Sequence, residues 1–456
     1  MKRTYGLRSL ALVGVFAIAA GACGPDDPNV EDSETAAATD APSEEETTTP
    51  PSESESPSES ESAGPIDRQN VDGTLTIGQL LPSTGDLAVL GPPMIEALNL
   101  AVNQINEAGG VLGQDVVVAP GDDGTNVDIA NDVVDEHLNN NNVDAILGPA
   151  ASSVTLGVID KITGAGVVQC SPSNTGSNLT TYPDNGFYFR TAPADNLQAQ
   201  ALSQLIVEDG YSNIAIIALN DEYGQGFAGF LEENLTAAGA TVVANVPYDP
   251  AGTEFDTDAQ EVADAAPDAV ALLSFPNTGS KVLQALIENG VGPADVQMYT
   301  ADGMQSGDVA ALVDPDDAAV LDGMKGTAPS SQGSAEFQAA FEASAPEGTA
   351  QIFSAHAYDC AILFALAAEA AQSDDPAVFV EQMNAVTLGG EKCDNFADCK
   401  ALLAEGADID YDGAAGPLDF IEAGEPGAGT YEVWEFDSTA EGGYTQAGDP
   451  IFIAGE

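Results

Sequence analysis

From residue 72 onward, apolar runs of strand length alternate with stretches of helical periodicity, and this alternation constrains the fold more tightly than any other feature of the chain. "TLTIGQLLP" reads as a buried strand. "PPMIEALNLAVNQINEAGG" reads as a helix, with Pro at its start, apolar residues at helical spacing and Gly-Gly at its end. The strand "DVVVAP", a helix over 127–139, the strand "VDAILGP", a helix over 154–165 and the strand "VVQCSPS" continue the series. A second series opens near Ala194. It runs through helix "DNLQAQALSQLIVEDG", strand "NIAIIAL", helix "GQGFAGFLEENLTAAG", strand "TVVANVPY", a helix over 255–265, strand "DAVALLSF", helix "GSKVLQALIENG" and strand "QMYTA". Such alternation makes parallel sheets with helices on both faces. Two doubly wound lobes accommodate this many strands better than one sheet. Facing each other, they would bring the carboxyl ends of both sheets to a shared cleft, the place where open α/β sheets hold ligands. Helical segments over 334–372 then need a home in one of the lobes.

The N-terminal stretch has a different grammar. "MKRTYGLRSLALVGVFAIAAGAC" combines Lys2, Arg3 and Arg8 with an apolar run from Leu10 to Ala20 and small residues before Cys23. This is an export signal whose apolar run is short for a membrane span. "AAGAC" resembles a bacterial lipobox, with Ala20 where Leu is usual, so Cys23 is expected to carry lipid and become the mature N-terminus; ordinary cleavage leaving a thiol is the alternative. Residues 24–65 are acidic, rich in Ser, Glu and Pro, and without aromatics, so they cannot bury a core and are expected to form an extended stalk. With a formal net charge of −64 and only 10 Lys+Arg in 456 residues, nucleic acid is excluded as a partner, and docking on an anionic membrane through protein charge is disfavoured. The acidity is that of a solvated surface. Cys393 and Cys399 bracket "CDNFADC" and are expected to pair in an exported protein. Cys170 and Cys360 are either a second disulfide or two buried thiols. No cysteine and histidine spacing indicates a metal.

Two strand ends are rich in hydroxyls, "ILGPAASSVT" and "VVQCSPSNTG". A helix N-terminus offers unpaired N–H groups and partial positive charge, so it can hold a carboxylate without Lys or Arg. Ser152 and Ser153 stand where a strand turns into a helix, poised for that task, with simple N-capping as the alternative. Ser173 and Thr175 stand at the second strand end, where a carbonyl, a hydroxyl and an N–H can bridge two charged groups; Pro, Asn and Gly also make "SPSNTG" a turn. Asp302, in "MYTADG", lies at a strand end of the second lobe, across the cleft, where it can meet an ammonium; a surface acid in an acidic chain is the alternative. Arg190 fits a structural ion pair near the lobe crossover. His137 and His356 are separated and make neither a metal site nor a triad. No G-x-S-x-G, H-E-x-x-H or P-loop occurs.

In order along the chain, "IGQLLPSTGDLAVLG", "AVNQINEAGGVLGQDV", "GDDGTN", "ILGPAASS", "SPSNTGSNLT", "FRTAPADN", "NDEYGQG" and "AYD" resemble the bacterial branched-chain amino acid binding proteins, the Leu/Ile/Val-type receptors of ABC transporters with the type I periplasmic binding protein fold. The resemblance covers roughly residues 72–440. It implies two lobes joined by three crossovers, with lobe one formed by 72–194 and 327–427 and lobe two by 195–326 and a C-terminal strand within 428–456; residues 1–22 are the signal and 23–71 the lipidated cysteine and stalk. It implies that Ser152, Ser173 and Thr175 hold the α-carboxylate and α-ammonium of an amino acid and that Asp302 stands where the family generally has an acid, often Glu. It further implies that Tyr223 closes over the ligand from lobe two, that Phe275 covers the ligand's apolar part or faces its cation, and that Leu90 lines the pocket from lobe one.

The function expected on this basis is that of a lipid-anchored, extracytoplasmic solute receptor, not an enzyme. It would capture an amino acid, branched-chain or similar, and present it to an ABC permease whose ATPase is a separate subunit. No cofactor, metal or nucleic acid is expected, and the receptor is expected to be a monomer. The alternative is a sensor of the same fold, for an amide, urea or carboxylate, coupled to a signalling partner.

Overall fold

The computed structural model describes residues 71–330, 333–346 and 349–455. The signal over 1–22, Cys23 and the stalk up to residue 70 lie outside the described residues. The first sheet is built from β1 (Thr76–Gln79), α1 (Gly91–Glu107), β2 (Val117–Ala119), α2 (Val127–Glu136), β3 (Ala145–Leu147), α3 (Ser152–Gly164), β4 (Val168–Ser171) and β5 (Tyr188–Arg190), with parallel strand order β2-β1-β3-β4-β5. α1 begins with Pro92 in its first turn, buries Met94, Ala97, Leu98, Ala101 and Ile105 on one side, and gives way to Gly109 and Gly110, both at positive φ. The helix expected over 127–139 changes character at its end. Residues His137–Asn141 form a π-helical turn, which points the buried His137 inward so that its Nε2–H donates to the Gln79 carbonyl (2.8 Å).

The chain then enters the second lobe through α4 (Asp195–Glu208), β6 (Asn213–Leu219), α5 (Glu222–Ala237), β7 (Thr241–Tyr248), α6 (Asp256–Asp264), β8 (Ala269–Leu273), α7 (Pro276–Glu288), β9 (Gln297–Thr300), α8 (Asp308–Val313) and β10 (Lys325–Pro329). Strands β6 and β8 are almost wholly buried, as expected where helices cover both faces of a parallel sheet. β10 pairs parallel with β9, so the chain leaves this sheet after Pro329, later than the boundary at 326 read from the sequence. "KGTAP" carries too little apolar signal to mark its own end.

The return segment comprises α9 (Ala335–Ser344), α10 (Ser354–Ala371), α11 (Pro376–Phe379), β11 (Glu391–Cys393), α12 (Phe396–Glu405), β12 (Ile409–Gly413) and β13 (Gly416–Pro417). It packs on the first lobe chiefly through α10, which is buried nearly all round and lies against α1, β3 and β4. A small sheet, β11-β12-β13, was not anticipated. A third crossing delivers β14 (Ala428–Phe436) to the second sheet, antiparallel to β10, and β15 (Tyr444–Gln446) and β16 (Ile451–Ala454) pair with β14 in turn. Cys393 is bonded to Cys399, and Cys170 on β4 to Cys360 on α10. The second bond ties the return segment to the first sheet. Among the described residues no helix is long and apolar enough to cross a membrane.

Candidate functional site

Strand β3 ends at Leu147, and after four intervening residues α3 begins at Ser152 itself, two residues earlier than the sequence reading placed it. Ala151 is the N-cap and has no side chain to satisfy the first N–H groups. Ser152 does not cap its own helix either: its Oγ accepts from the Gly176 N–H (3.1 Å). The N-terminus of α3 therefore keeps its partial positive charge for whatever occupies the cleft. The "SPSNTG" loop is strapped to this turn. Ser173 Oγ donates to the Ala150 carbonyl (3.1 Å), and Asn174 Nδ2 donates to the carbonyls of Ala150 (2.7 Å) and Pro149 (3.2 Å). Behind the loop, the fully buried Arg190 guanidinium donates to the carbonyls of Gly176 (2.9 Å) and Asn174 (3.3 Å) and is paired with Glu425 through Nε (2.7 Å). Arg190 thus holds the loop carrying Thr175 and is engaged away from the cleft. The Thr175 carbonyl accepts the Asp195 N–H (2.7 Å), tying this loop to the start of α4.

From the second lobe, Asp302 follows β9, and its Oδ1 accepts from Gln198 Nε2 (2.9 Å) and the Tyr223 hydroxyl (3.2 Å). Burial pushes its carboxyl up to about 6, against the lowering effect of those two hydrogen bonds. Tyr223, in the first turn of α5, stacks on Phe275 with ring centroids 5.3 Å apart. Gly303 makes this approach possible: a Cβ there would lie 2.5 Å from the Ser274 carbonyl oxygen and 3.1 Å from both the Phe275 ring and the Tyr223 hydroxyl. Asp195 is fully buried nearby, and burial and then the Asp302 carboxylate hold its carboxyl well above the usual range.

These elements line a narrow, tightly closed cavity between the lobes. Ser152, Ser173, Thr175, Tyr223, Asp302, Phe275 and Leu90 all line it. Ser153 does not. Successive helical residues point about 100° apart, so with Ser152 facing inward Ser153 turns to the mouth of the cleft, where its Oγ donates to Asp221 Oδ2 of the second lobe (3.2 Å). Leu87, Met94 and Phe353 also line the wall and were missed. Apolar residues near helix starts look like core in a sequence, and Phe353 is the N-cap of α10, in the αL conformation (φ 55). His356 lies buried further along α10, held neutral by burial with its acidity shifted to about 4, and takes no part in the wall. Among the described residues no cluster of side chains has the make-up of a metal site. The cavity offers helix N–H groups and hydroxyls on one side, a carboxyl on the other, and an apolar wall between.

A family model described as periplasmic binding protein matches residues 74–435. The chemotactic signal transduction system substrate-binding protein BasB of Halobacterium salinarum is 27% identical over 369 residues, 78% of this chain and 85% of that one. Among solved structures, the branched-chain amino acid transporter substrate binding protein LivJ of Streptococcus pneumoniae, in complex with isoleucine, superposes with a TM-score of 0.66 at 21% identity, over 82% of this chain and 99% of that one. A solute binding protein of an ABC transporter from R. palustris, in complex with 4-hydroxybenzoate, gives a TM-score of 0.68 at 17% identity, over 83% and 97%. At these identities the two structures speak for the fold, which is the two-lobed type I periplasmic binding protein fold.

Proposed function

The chain belongs to the periplasmic binding protein family, and from that membership we propose that it is an extracytoplasmic receptor for an α-amino acid with an apolar side chain, which it delivers to an ABC permease. The observation that carries this reading is the division of charge across the cavity. The open N-terminus of α3, Ser152 and Thr175 suit a carboxylate, while Asp302 and the Ser173 carbonyl suit an ammonium. Among the described residues no basic side chain lines the cavity, so a ligand that is only an anion would face Asp302 without a counterion. Leu87, Leu90, Met94, Phe275 and Phe353 suit an aliphatic side chain. The receptor works by binding alone, with the lobes closing on the ligand. Cys23 anchors it by lipid and residues 24–65 hold it off the membrane; the mass of the mature N-terminus tests this, and an unlipidated start beyond Cys23 would reject it.

A thermal-shift screen of amino acids, short amides and hydroxybenzoates tests the ligand class. A ligand at 100 times its dissociation constant adds roughly 2.7 kcal/mol. Stabilisation by L-leucine or L-isoleucine is expected, and a response confined to amides or hydroxybenzoates would sink the amino-acid reading. A sensory role is a second reading, supported by the signalling role in the name of the BasB relative. Stimulation of a reconstituted permease ATPase by the loaded receptor separates transport from sensing.

A further inference from the structure

The helix α7 starts without a cap of its own. Its N-cap position is Phe275, which has no side-chain acceptor, and the first N–H groups of a helix need one. The acceptor comes from the other lobe. Asp86, in the loop between β1 and α1, accepts the Thr278 N–H at Oδ1 (2.8 Å) and the Thr278 hydroxyl at Oδ2 (2.6 Å). Thr278 is the third residue of α7, the position whose N–H an N-cap side chain normally takes. Beside it, Asn277 Nδ2 donates to the Gly85 carbonyl (2.8 Å). Asp86 is half-buried in this arrangement, its carboxyl raised by burial despite both Thr278 hydrogen bonds and the charge of Lys281. It does not line the ligand cavity, although its neighbour Leu87 and the α7 N-cap Phe275 both do.

We propose that Asp86 is a latch: a lobe-one side chain that caps a lobe-two helix when the cleft is shut, and so raises ligand affinity without touching the ligand. Opening the cleft pulls Asp86 away from α7 and returns both ends to water. The cap is therefore formed by closure and opposes release. Ser153 and Asp221 make a second contact across the same mouth, but Asp221 already caps its own helix α5 through the Gly224 N–H (2.9 Å). The α7 cap is different because its helix depends on the opposite lobe.

The test compares the parent with Asp86→Ala and Asp86→Asn, the second of which keeps a capping oxygen. Single-molecule energy transfer between dyes on the exposed Asn139 and Glu261 reads the shut fraction in the full chain, without ligand and with L-leucine. Asp86→Ala is expected to lower the shut fraction and to raise the dissociation constant for L-leucine about two- to thirtyfold, chiefly by faster dissociation. Asp86→Asn is expected to recover most of both. The proposal rests on the amino-acid reading only for the choice of probe. If L-leucine moves none of the three proteins but Asp86→Ala still lowers the shut fraction, the latch stands and the ligand class falls. A shut fraction that is the same in all three proteins, with or without L-leucine, overturns the latch.

Discussion

On the proposed function, Asp302 is the residue on which ligand charge and pH meet. Its carboxyl is raised from 3.8 to about 6, with burial as the largest cause. Between those values the folded protein holds a proton that the unfolded chain has lost. The group's contribution to stability is therefore fullest below about 3.8 and is lost as pH rises through about 6. Ammonium binding runs the other way, because it needs the carboxylate. Affinity for L-leucine should be flat above about pH 6 and fall by about tenfold for each pH unit below it. Asp195 lies near Asp302 and is raised in the same sense, by burial first and then by the Asp302 charge. Removing the acid with Asp302→Ala leaves a buried cation unpaired and should cost ~3–5 kcal/mol, or two to four decades of affinity. Calorimetric titration between pH 5 and 8, with far-UV circular dichroism to establish folding, measures both effects. Undiminished binding by folded Asp302→Ala would mean that the ammonium is held elsewhere or that the ligand has none.

At the scale of elements, the site depends on how the return segment is fastened to the first sheet. The bond between Cys170 and Cys360 joins β4, which leads into the Thr175 loop, to α10, which begins at Phe353 and the cavity wall. These cysteines are 190 residues apart in sequence, so the bond closes a long loop. Replacing both by Ala should cost about 2–5 kcal/mol in urea unfolding. The six-residue separation of Cys393 and Cys399 makes theirs the smaller contribution. Equal stability of the Cys170→Ala/Cys360→Ala protein and the parent would contradict this. Much of this scaffold is legible in the sequence because period and punctuation name the strands and helices, and because hydroxyls at two strand ends mark a cleft that needs no cation. Other parts are not. Ser152 and Ser153 look alike until the helix phase is known. Asp86 and Asp195 are lost among 74 acidic residues. Leu87, Met94 and Phe353 read as core. β10 is a pentapeptide with no apolar pattern, and the small β11-β12-β13 sheet has strands too short to announce themselves.

For the molecule as a whole, the account is of two lobes that recognise opposite ends of one zwitterion and shut upon it. Lobe one presents the open end of α3 and the Thr175 loop, and lobe two presents Asp302 beneath the Tyr223–Phe275 stack. On this proposal neither half offers both charges in full, so recognition and closure would be one event, to which the proposed Asp86 cap would add at the rim. The cavity sets one carboxyl against helix N–H groups. The most direct test is calorimetric titration of the full chain with L-leucine, with 3-methylbutylamine, which lacks its carboxylate, and with 4-methylpentanoate, which lacks its ammonium. The account expects L-leucine to bind and each truncated analogue to bind more weakly by about a hundredfold or more, since the amine leaves the helix N–H groups and hydroxyls of lobe one unmet and the carboxylate leaves Asp302 unmet. Binding of 4-methylpentanoate as tight as that of L-leucine would contradict it.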